Sequence, residues 1–313
     1  MKKTILINIS LILSFFIIFE FLLIALDISS LRGMSETYFE NNKNIEGKAF
    51  GKKFYTDQFG FRVPNKNYLY NKKNKNIVLI GDSFVFGPGV EEEETFSGKL
   101  RGYKTDFNIF NSSGPGNQVN DYLTSIKYFI NNFDNNEFII FINFDDLNFS
   151  EKNKVNNNEK ENLFKNLRNI ELINKINDIL RSKFYTYVWL VGITTDPTKR
   201  YYDNVLKSFK KNNVYDAFDK KISEINNLLE KNNINRIFII IPYSYQMRDK
   251  CKKTDFFPQK KLKKLFEKNE VKFFDFTEIF CKKSNEKNLF INFDPTHLSS
   301  FGHEIVFQSI KDF

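Results

Sequence analysis

One serine, Ser83, stands directly behind an apolar run in the sequence IVLIGDSFVFGPGV of residues 77–90. The run has the length of a buried strand, and the break at Gly81 and Asp82 predicts a strand-to-helix turn. In α/β proteins such a turn presents a nucleophile or binds an anion. The loop lacks the Lys-Ser/Thr pair of a phosphate-binding P-loop, so the sequence favours a nucleophile.

A candidate base and a candidate acid lie close together near the carboxyl terminus, in the sequence FDPTHLSSFGHEIV. Asp294 and His297 flank Pro295, which stiffens the turn that carries them. A serine becomes a nucleophile when a base accepts its proton, and the base needs an acceptor that fixes its tautomer. We therefore predict Ser83 as the nucleophile, His297 as the base and Asp294 as the acid that orients it. His303 is predicted to pack or cap in the last helix.

Alternating strands and helices predict how these residues come together. The predicted strands are 76–80, 106–110, 137–144, 236–242 and 271–276, and the predicted helices are 94–101, 119–131, 217–229, 259–267 and 299–310. This alternation predicts a parallel sheet with helices on both faces and a functional site at the carboxyl ends of the strands. The acidic run of residues 91–94 is predicted to be a solvated helix start.

The amino-terminal stretch of residues 4–26 is apolar except for Glu20 and is long enough to cross a bilayer. Lys2 and Lys3 precede it, so the positive-inside rule leaves the amino terminus in the cytoplasm and exports the rest of the chain. A cleaved signal peptide is the alternative, but the stretch is longer than a usual h-region and FLLIALDISS offers no A-x-A site. We predict an uncleaved anchor, in which Glu20 either has an intramembrane partner or reaches the interface.

A polar stretch rich in Asn and Lys, residues 148–213, interrupts the alternation. We predict a helical insertion there, which would serve as a lid or as a surface for an envelope-protein partner. Its aromatic cluster FYTYVWLVG, residues 184–192, is more typical of core than of a sugar-binding platform. The predicted organisation is an anchor over 1–30, a linker and lead-in over 31–75, and one domain over 76–313 that contains the insertion.

Composition bounds the remaining possibilities. The 313 residues carry 47 Lys and Arg against 38 Asp and Glu, a net charge of +9, with the lysines scattered among asparagines. Without a basic stripe and interleaved aromatics, we predict no nucleic-acid binding. Cys251 and Cys281 either form a disulfide outside the cytoplasm or stay as thiols, and their spacing does not decide. The two histidines do not cluster with the cysteines, so we predict neither a metal nor a cofactor.

Taken together, the motifs resemble those of the SGNH (GDSL-type) hydrolase superfamily. Its blocks are Gly-Asp-Ser, here residues 81–83, a glycine after the second strand, here within 108–118, an Asn-Asp after the third strand, and Asp-x-x-His, here 294–297. The resemblance implies a flavodoxin-like three-layer α/β/α sandwich. The stretch TDQFGFRVPN, residues 56–65, is similar to the Gly-Phe-Arg stretch upstream of the serine block in membrane-anchored members.

The resemblance also implies an oxyanion hole made by the backbone N–H of Ser83, the N–H of a glycine and an asparagine side chain. Gly116 fits the glycine best, and Gly114 is the alternative. This sequence departs at the asparagine, because Asp145 stands there, and an ionised carboxylate would repel a developing oxyanion. A protonated Asp145 could donate instead. The other possibilities are that Asn143 or Asn148 replaces it, that two backbone N–H groups suffice, or that the chain is not catalytic.

Three functions follow from these motifs. The first is an extracytoplasmic serine esterase that acts on acyl esters, and the resemblance suggests O-acetyl esters of a cell-envelope carbohydrate. The second is an O-acyltransferase, in which a sugar hydroxyl instead of water resolves the acyl-enzyme formed on Ser83. The third belongs to another class, a non-catalytic envelope protein that binds a glycan or a partner.

Overall fold

An eight-stranded sheet forms the centre of the computed structural model, which describes residues 2–134, 136–147, 171–252 and 255–313. The strands are β1 (Glu46–Ala49), β2 (Lys52–Thr56), β3 (Arg62–Val63), β4 (Lys75–Gly81), β5 (Phe107–Ser113), β6 (Asn136–Ile142), β7 (Asn235–Ile240) and β8 (Phe273–Asp275). They lie in the order β1-β2-β3-β5-β4-β6-β7-β8. The last five strands of that order pair in parallel and have the flavodoxin-like arrangement 2-1-3-4-5.

Helices cover both faces of the parallel strands. The described helices are α1 (Lys2–Leu26), α2 (Glu36–Glu40), α3 (Ser83–Phe86), α4 (Phe96–Tyr103), α5 (Val119–Asn132), α6 (Glu171–Lys183), α7 (Tyr185–Thr195), α8 (Pro197–Phe209), α9 (Asn212–Lys231), α10 (Phe257–Lys268), α11 (Thr277–Lys283) and α12 (Ser300–Ile310). Helices α5, α8, α9 and α10 pack on one face, and α3, α4, α11 and α12 pack on the other. This three-layer α/β/α arrangement confirms the predicted fold class.

Strand β4 shows why the parallel strands read as continuous apolar runs. Val78 and Ile80 are buried in the layer that contains α5, while Ile77 and Leu79 are buried in the layer that contains α4. Successive side chains of a strand point to opposite faces, and both faces of this sheet are covered. The carboxyl ends of β4, β5 and β6 therefore meet at one edge, where the loops that follow them are brought together.

The segment predicted as a linker and lead-in, residues 31–75, joins the sheet. Strands β1 and β2 form an antiparallel hairpin, β3 pairs with β2, and Arg62 of β3 pairs antiparallel with Asn111 of β5. Ala49 and Phe54 of the hairpin are buried against Phe86, in the helix that begins at the candidate nucleophile. The hairpin of this segment therefore packs against the helix that carries the candidate nucleophile.

Helix α1 and the first two described helices of the predicted insertion, α6 and α7, lie outside the sandwich, whereas α8 packs on the sheet. Within the described residues, α1 is one helix long and apolar enough to cross a membrane, by its length and composition. The described part of the insertion forms α6, α7 and α8, in agreement with the predicted helical character, and residues 148–170 lie outside the described residues. The aromatic stretch 184–192 is not the core that we predicted, because only Val188 and Gly192 of α7 are buried.

Candidate active site

Ser83 is held at the mouth of a sharp turn from β4 into α3. Gly81 ends β4, and a Cβ atom there would lie 2.2 Å from Cγ2 of Val85, so the turn accepts no side chain at this position. Asp82 caps α3, since its Oδ1 accepts from the N–H of Phe84 at 2.9 Å. Ser83 is the first residue of α3, and the turn aims its hydroxyl away from the sheet edge into a cleft.

The predicted base, His297, lies 214 positions beyond Ser83 in the sequence and contacts it in the structure, and the predicted acid contacts the base. Nε2 of His297 lies 2.8 Å from Oγ of Ser83, and Nδ1 of the same ring lies 3.0 Å from Oδ2 of Asp294. Asp294 folds its own loop, because its Oδ1 accepts from the N–H groups of Thr296 at 2.9 Å and His297 at 2.7 Å. The three residues form the chain of contacts that a nucleophile, a base and an orienting acid require.

Two residues that the sequence did not point to complete this arrangement. Arg32, in the segment after α1, donates from Nη1 to Oδ2 of Asp294 and from Nη2 to the carbonyl of Asn292. Phe50 sets its ring edge-on to the His297 imidazole, with centroids 5.0 Å apart, and the guanidinium of Arg32 lies over the same phenyl ring. No local sequence pattern marks either Arg32 or Phe50.

The surroundings of Asp294 keep it ionised. Burial acts to raise the pKa of this carboxyl, but the charges of His297 and Arg32 and the hydrogen bonds from His297 outweigh burial and hold the pKa well below its usual value. Asp294 is 2% exposed. An ionised acceptor beside Nδ1 is what fixes the ring with its other nitrogen free to receive a proton.

A buried arginine from the Gly-Phe-Arg stretch holds the loop behind Ser83. Arg62 is 1% exposed and donates to the carbonyls of Phe86 at 2.7 Å, Gly87 at 2.5 Å and Val90 at 2.8 Å. Its Nε lies 2.7 Å from Oε2 of Glu92, and Arg101 pairs with the other oxygen of that carboxylate. The prediction that the acidic run is a solvated helix start is therefore wrong for Glu92, which is buried between two arginines.

The second histidine has a structural environment. His303 is fully buried in α12, and its Nδ1 accepts from the backbone N–H of Phe96 at 3.2 Å. Burial lowers the pKa of this imidazole well below its usual value, followed by the positive charge of Arg62. A neutral ring that accepts from the start of α4 matches the predicted packing or capping role.

Three carboxylates, of Asp82, Asp145 and Asp146, meet at the carboxyl ends of β4 and β6, within 4.8 Å of one another. Each of their six oxygens accepts a hydrogen bond. The donors are the N–H of Phe84 and Nδ2 of Asn143 to Asp82, the hydroxyls of Tyr243 and Tyr201 to Asp145, and the hydroxyl of Tyr122 and the N–H of Asn143 to Asp146. Burial first, and then neighbouring carboxylates, raise the pKa of Asp82 to about 6 and that of Asp146 well above its usual value. The hydrogen bonds from the tyrosines and the Asn143 amide thus occupy carboxylate oxygens that could otherwise have bound a cation.

These contacts bear on the predicted oxyanion hole. The oxygens of Asp145 accept from Tyr201 at 2.6 Å and from Tyr243 at 3.0 Å, and the Asn143 amide donates to Asp82 at 2.8 Å. The third alternative, Asn148, lies outside the described residues. The described side chains at this strand end are therefore engaged with one another, and the oxyanion hole of Ser83 and Gly116 stays a prediction.

The glycine loop after β5 borders the same cleft. Gly116 has a φ of +81°, a left-handed conformation that favours glycine, whereas at Gly114 a Cβ atom would lie 2.4 Å from the hydroxyl of Tyr38. Nδ2 of Asn117 donates to the carbonyl of Gly81 at 3.4 Å and ties this loop to the serine turn. Both glycines are thus required by the loop's shape, and the assignment of Gly116 as a donor stays a prediction.

The cleft itself has a volume of about 520 Å³. Ser83 and His297 form its floor, and Pro115 and Pro88 line its sides. Its remaining walls come from the lead-in, through Met34, Phe39 and Phe50, and from α6, through Asp178, Ile179 and Ser182. Most of the wall surface is apolar, and Arg32, Glu36, Asp178 and Ser182 add polar side chains, a combination that suits a small-molecule site.

One disulfide lies in the described chain. Cys251 and Cys281 are bonded, and they join the 3-10 turn of Ser244–Cys251 to α11. The alternative of two thiols, which the sequence left open, does not apply to this structure. Stable disulfides are characteristic of proteins outside the cytoplasm.

No family model and no curated protein matches this chain. Solved structures do match, among them a member of the lipolytic protein G-D-S-L family from Veillonella parvula DSM 2008, at 13% identity and a TM-score of 0.42, over 76% of this chain and 97% of that one. The acetyl xylan esterase AlAXEase matches at 14% identity and 0.44, over 76% and 98%. The psychrotrophic esterase EstA from Pseudoalteromonas sp. matches at 10% and 0.42, over 76% and 96%. These matches carry names of the class that the sequence blocks resemble, but similarity this distant supports no conclusion about activity.

Proposed function

We propose that this protein is a serine esterase of the SGNH type that cleaves acyl esters, with O-acetyl esters of a carbohydrate as the favoured class. The observation that supports it is the chain of contacts from Asp294 through His297 to Ser83, with Nε2 of His297 2.8 Å from the serine oxygen. The apolar cleft above Ser83 has room for a small acyl group and part of the alcohol that carries it.

The proposed reaction proceeds in two halves. Nε2 of His297 takes the hydroxyl proton as Oγ of Ser83 attacks the ester carbonyl, and Asp294 stabilises the imidazolium that forms. The tetrahedral intermediate collapses, the imidazolium returns the proton to the departing alkoxide, and the alcohol leaves an acyl-serine. Water then attacks the acyl carbon as His297 takes its proton, and the carboxylic acid is released with Ser83 restored.

Two backbone donors are proposed to hold the oxyanion. The N–H of Ser83 lies at the start of α3, and the N–H of Gly116 lies in the loop beside the cleft. The carboxylate of Asp145 is held by Tyr201 and Tyr243, which supports a hole that does without a side-chain amide. A missing donor costs about 3 kcal/mol of transition-state stabilisation, so we expect a slow enzyme rather than an inactive one.

The catalytic domain is proposed to lie outside the cytoplasm and to stay anchored by α1. The length and apolar composition of α1 support a span, although a signal sequence meets the same criteria. The disulfide between Cys251 and Cys281 supports an oxidising compartment. Retention of α1 is supported by its contacts with α7, since Phe19 packs against Trp189 with ring centroids 5.1 Å apart.

A non-catalytic glycan- or partner-binding protein is the second candidate, favoured by Asp145 alone. Its carboxylate stands where the resemblance implies a side-chain donor, and this substitution would suit a site that binds an ester without cleaving it. In that case the hydrogen bond from Ser83 to His297 would be retained, but the serine would not react.

Fluorophosphonate labelling of the full chain in detergent tests the proposal, followed by hydrolysis of 4-nitrophenyl acetate and acetylated polysaccharide. We expect labelling of the wild type, its loss in Ser83→Ala and in His297→Ala, and a fall in kcat of about 10⁴-fold in each variant. Ser309→Ala, in α12 and away from the cleft, is the matched control and should react as the wild type does. A folded wild-type chain that neither labels nor hydrolyses either ester would support the binding protein instead.

A further inference from the structure

Helix α7 joins the amino-terminal helix through an acid inside the apolar span. The oxygens of Glu20 accept from the N–H groups of Tyr185 at 2.7 Å and Thr186 at 2.8 Å, the first two residues of α7. Unpaired N–H groups at a helix start attract negative charge, so this carboxylate caps α7. Glu20 therefore has a partner within the protein.

These contacts fix the depth of α7 relative to α1. The apolar span runs to Leu26, and the helix between Glu20 and Leu26 is about 9 Å long. If α1 crosses a bilayer, the start of α7 and the ring of Trp189 on Phe19 lie below the outer end of the span. That depth corresponds to the boundary between headgroups and acyl chains.

The composition of α7 suits that depth. The helix contains no charged residue, and its sequence is YTYVWLVGITT. Val188 and Gly192 face the protein, with Gly192 in contact with Phe293, while Leu190 is 40% and Ile193 is 51% exposed. In water this face would be a costly apolar patch, whereas acyl chains would cover it at no cost.

Helix α6 extends the apolar surface to the cleft. Leu172, Ile176 and Ile179 are 65%, 47% and 57% exposed and follow the spacing of one helix face. Ile179 also lines the cleft above Ser83, together with Phe39, which is 68% exposed. Ile179 thus joins the exposed apolar residues of α6 to the entrance of the candidate active site.

We propose that the exposed faces of α6 and α7 lie in the outer leaflet of the membrane and that the cleft takes its ester from an amphiphile anchored there. Acyl chains would cover Leu190 and Ile193, and an ester group near the headgroups would reach Ser83 past Ile179. The surface assignment rests on α1 as a membrane span, on the contacts of Glu20 and Phe19 with α7, and on the exposed apolar residues of α6 and α7. The substrate class rests in addition on the proposed esterase function.

Quenching of a fluorophore by doxyl lipids at known depths tests whether the exposed face of α7 lies in the membrane. The full chain is reconstituted in vesicles of phosphatidylethanolamine and phosphatidylglycerol that carry doxyl lipids, with one environment-sensitive fluorophore on an introduced cysteine. Leu190→Cys and Ile193→Cys should be quenched, as should Leu13→Cys in α1, whereas Leu69→Cys, 87% exposed in the lead-in, should not. Quenching at position 13 without quenching at 190 and 193 overturns the proposal. So does protection of 190 and 193 from aqueous iodide without lipid quenching, which would indicate a second copy of the chain.

Hydrolysis of two esters tests the substrate class. The double variant Leu190→Glu/Ile193→Glu should lower hydrolysis of an acetylated glycolipid in these vesicles by about tenfold and leave hydrolysis of soluble 4-nitrophenyl acetate within about twofold. Leu69→Glu is the matched control. An equal loss on both substrates, or no loss on either, overturns the substrate assignment. If the wild type hydrolyses neither ester, the esterase proposal fails, and the quenching result still decides the surface.

Discussion

At the scale of single residues, Arg32 stands out because it lies far from the triad in sequence and touches it in space. It shares one carboxylate oxygen of Asp294 with the imidazole of His297, and it has the Asn292 carbonyl as a second acceptor. Because Arg32 and His297 both hold the Asp294 carboxylate, we expect that carboxylate to keep its position when His297 gains or loses a proton. Arg32 is therefore a positioning residue in the proposed mechanism.

Replacing Arg32 tests that role. We expect Arg32→Ala to lower kcat for ester hydrolysis by about 10- to 100-fold with little change in KM, since small displacements of a catalytic group are costly. Arg32→Lys should recover part of the loss because it keeps the charge but not the two-pronged contact. Arg248→Ala, which breaks an exposed pair with Asp196, is the control and should leave kcat unchanged. Unaltered kcat in Arg32→Ala would remove Arg32 from the mechanism.

Phe50 is the second residue that contacts the triad, and its backbone is strained. It has a φ of +52°, and together with Gly51 it forms the two-residue turn of the β1–β2 hairpin. Two left-handed residues in such a turn favour Asn-Gly. A phenylalanine held there, with its ring on His297, indicates that the site uses the side chain at some expense in stability.

We expect Phe50→Asn to separate stability from activity. The free energy of unfolding should rise by about 1 kcal/mol as the strain is relieved, while kcat/KM should fall severalfold because the His297 ring loses its packing partner. Denaturant unfolding and ester hydrolysis measure the two effects. Phe313→Asn, which removes an exposed ring at the carboxyl terminus where φ is not positive, should give neither change. A Phe50→Asn variant that loses stability would contradict the account of the turn.

At the scale of elements, the lead-in holds the loop that follows Ser83 and α3 through hydrogen bonds from β3. Strand β3 contributes Arg62, which crosses to three carbonyls of the loop after α3 and to the carboxylate of Glu92. The loop has few internal backbone bonds of its own, so this side chain replaces a strand or helix as its support. The Gly-Phe-Arg stretch noted in the sequence thus has a structural role next to the nucleophile.

Replacing Arg62 should lower the stability of the fold. We expect Arg62→Met to lower the free energy of unfolding by about 3–5 kcal/mol, because it leaves the Glu92 carboxylate buried with one partner fewer. Lys282→Met, which removes a pair with Glu278 in which both side chains are exposed, should cost far less. Urea unfolding of both variants makes the comparison. Equal costs would show that the Arg62 network contributes no more than a surface pair.

Some elements could be predicted from the sequence, and others could not. The parallel strands were predictable because buried strands are continuous apolar runs, and the contact of Ser83, Asp294 and His297 was predictable because both sequence blocks carry local signatures. The lead-in strands were not predicted, since they are short, carry exposed lysines and are defined by pairing with β5. The burial of Glu92 depends on Arg62 of the lead-in and on Arg101, nine positions further on, and no local pattern predicts that pairing.

At the scale of the whole molecule, the carboxylate cluster couples stability to pH. Burial and then Asp145 raise the pKa of Asp82 to about 6, against an ordinary value of 3.8. Between these values the folded protein keeps a proton that the unfolded chain has lost, so the free energy of unfolding falls as pH rises from about 4 to about 6. Asp146 acts in the same direction. Asp294, with its lowered pKa, acts in the opposite direction below pH 4.

We expect Asp82→Asn to flatten that slope. The wild type should lose up to about 3 kcal/mol of unfolding free energy from Asp82 across the window, and the variant should lack that loss. Asp203→Asn removes an exposed carboxylate and should keep the wild-type slope. Urea unfolding at intervals from pH 4 to pH 6.5 measures it, and parallel slopes for the wild type and Asp82→Asn would contradict the raised pKa.

Arg32 lies between α1, the proposed membrane anchor, and the first strand. Arg32 follows the proposed anchor in sequence and contacts Asp294, so a cut on its carboxyl side would leave Arg32 with the anchor and remove it from the site. Proteolytic shedding at such a bond would release a diffusible domain whose Asp294 has lost its arginine. Shed protein should therefore be a poor catalyst, and turnover would be confined to the cell that made the enzyme.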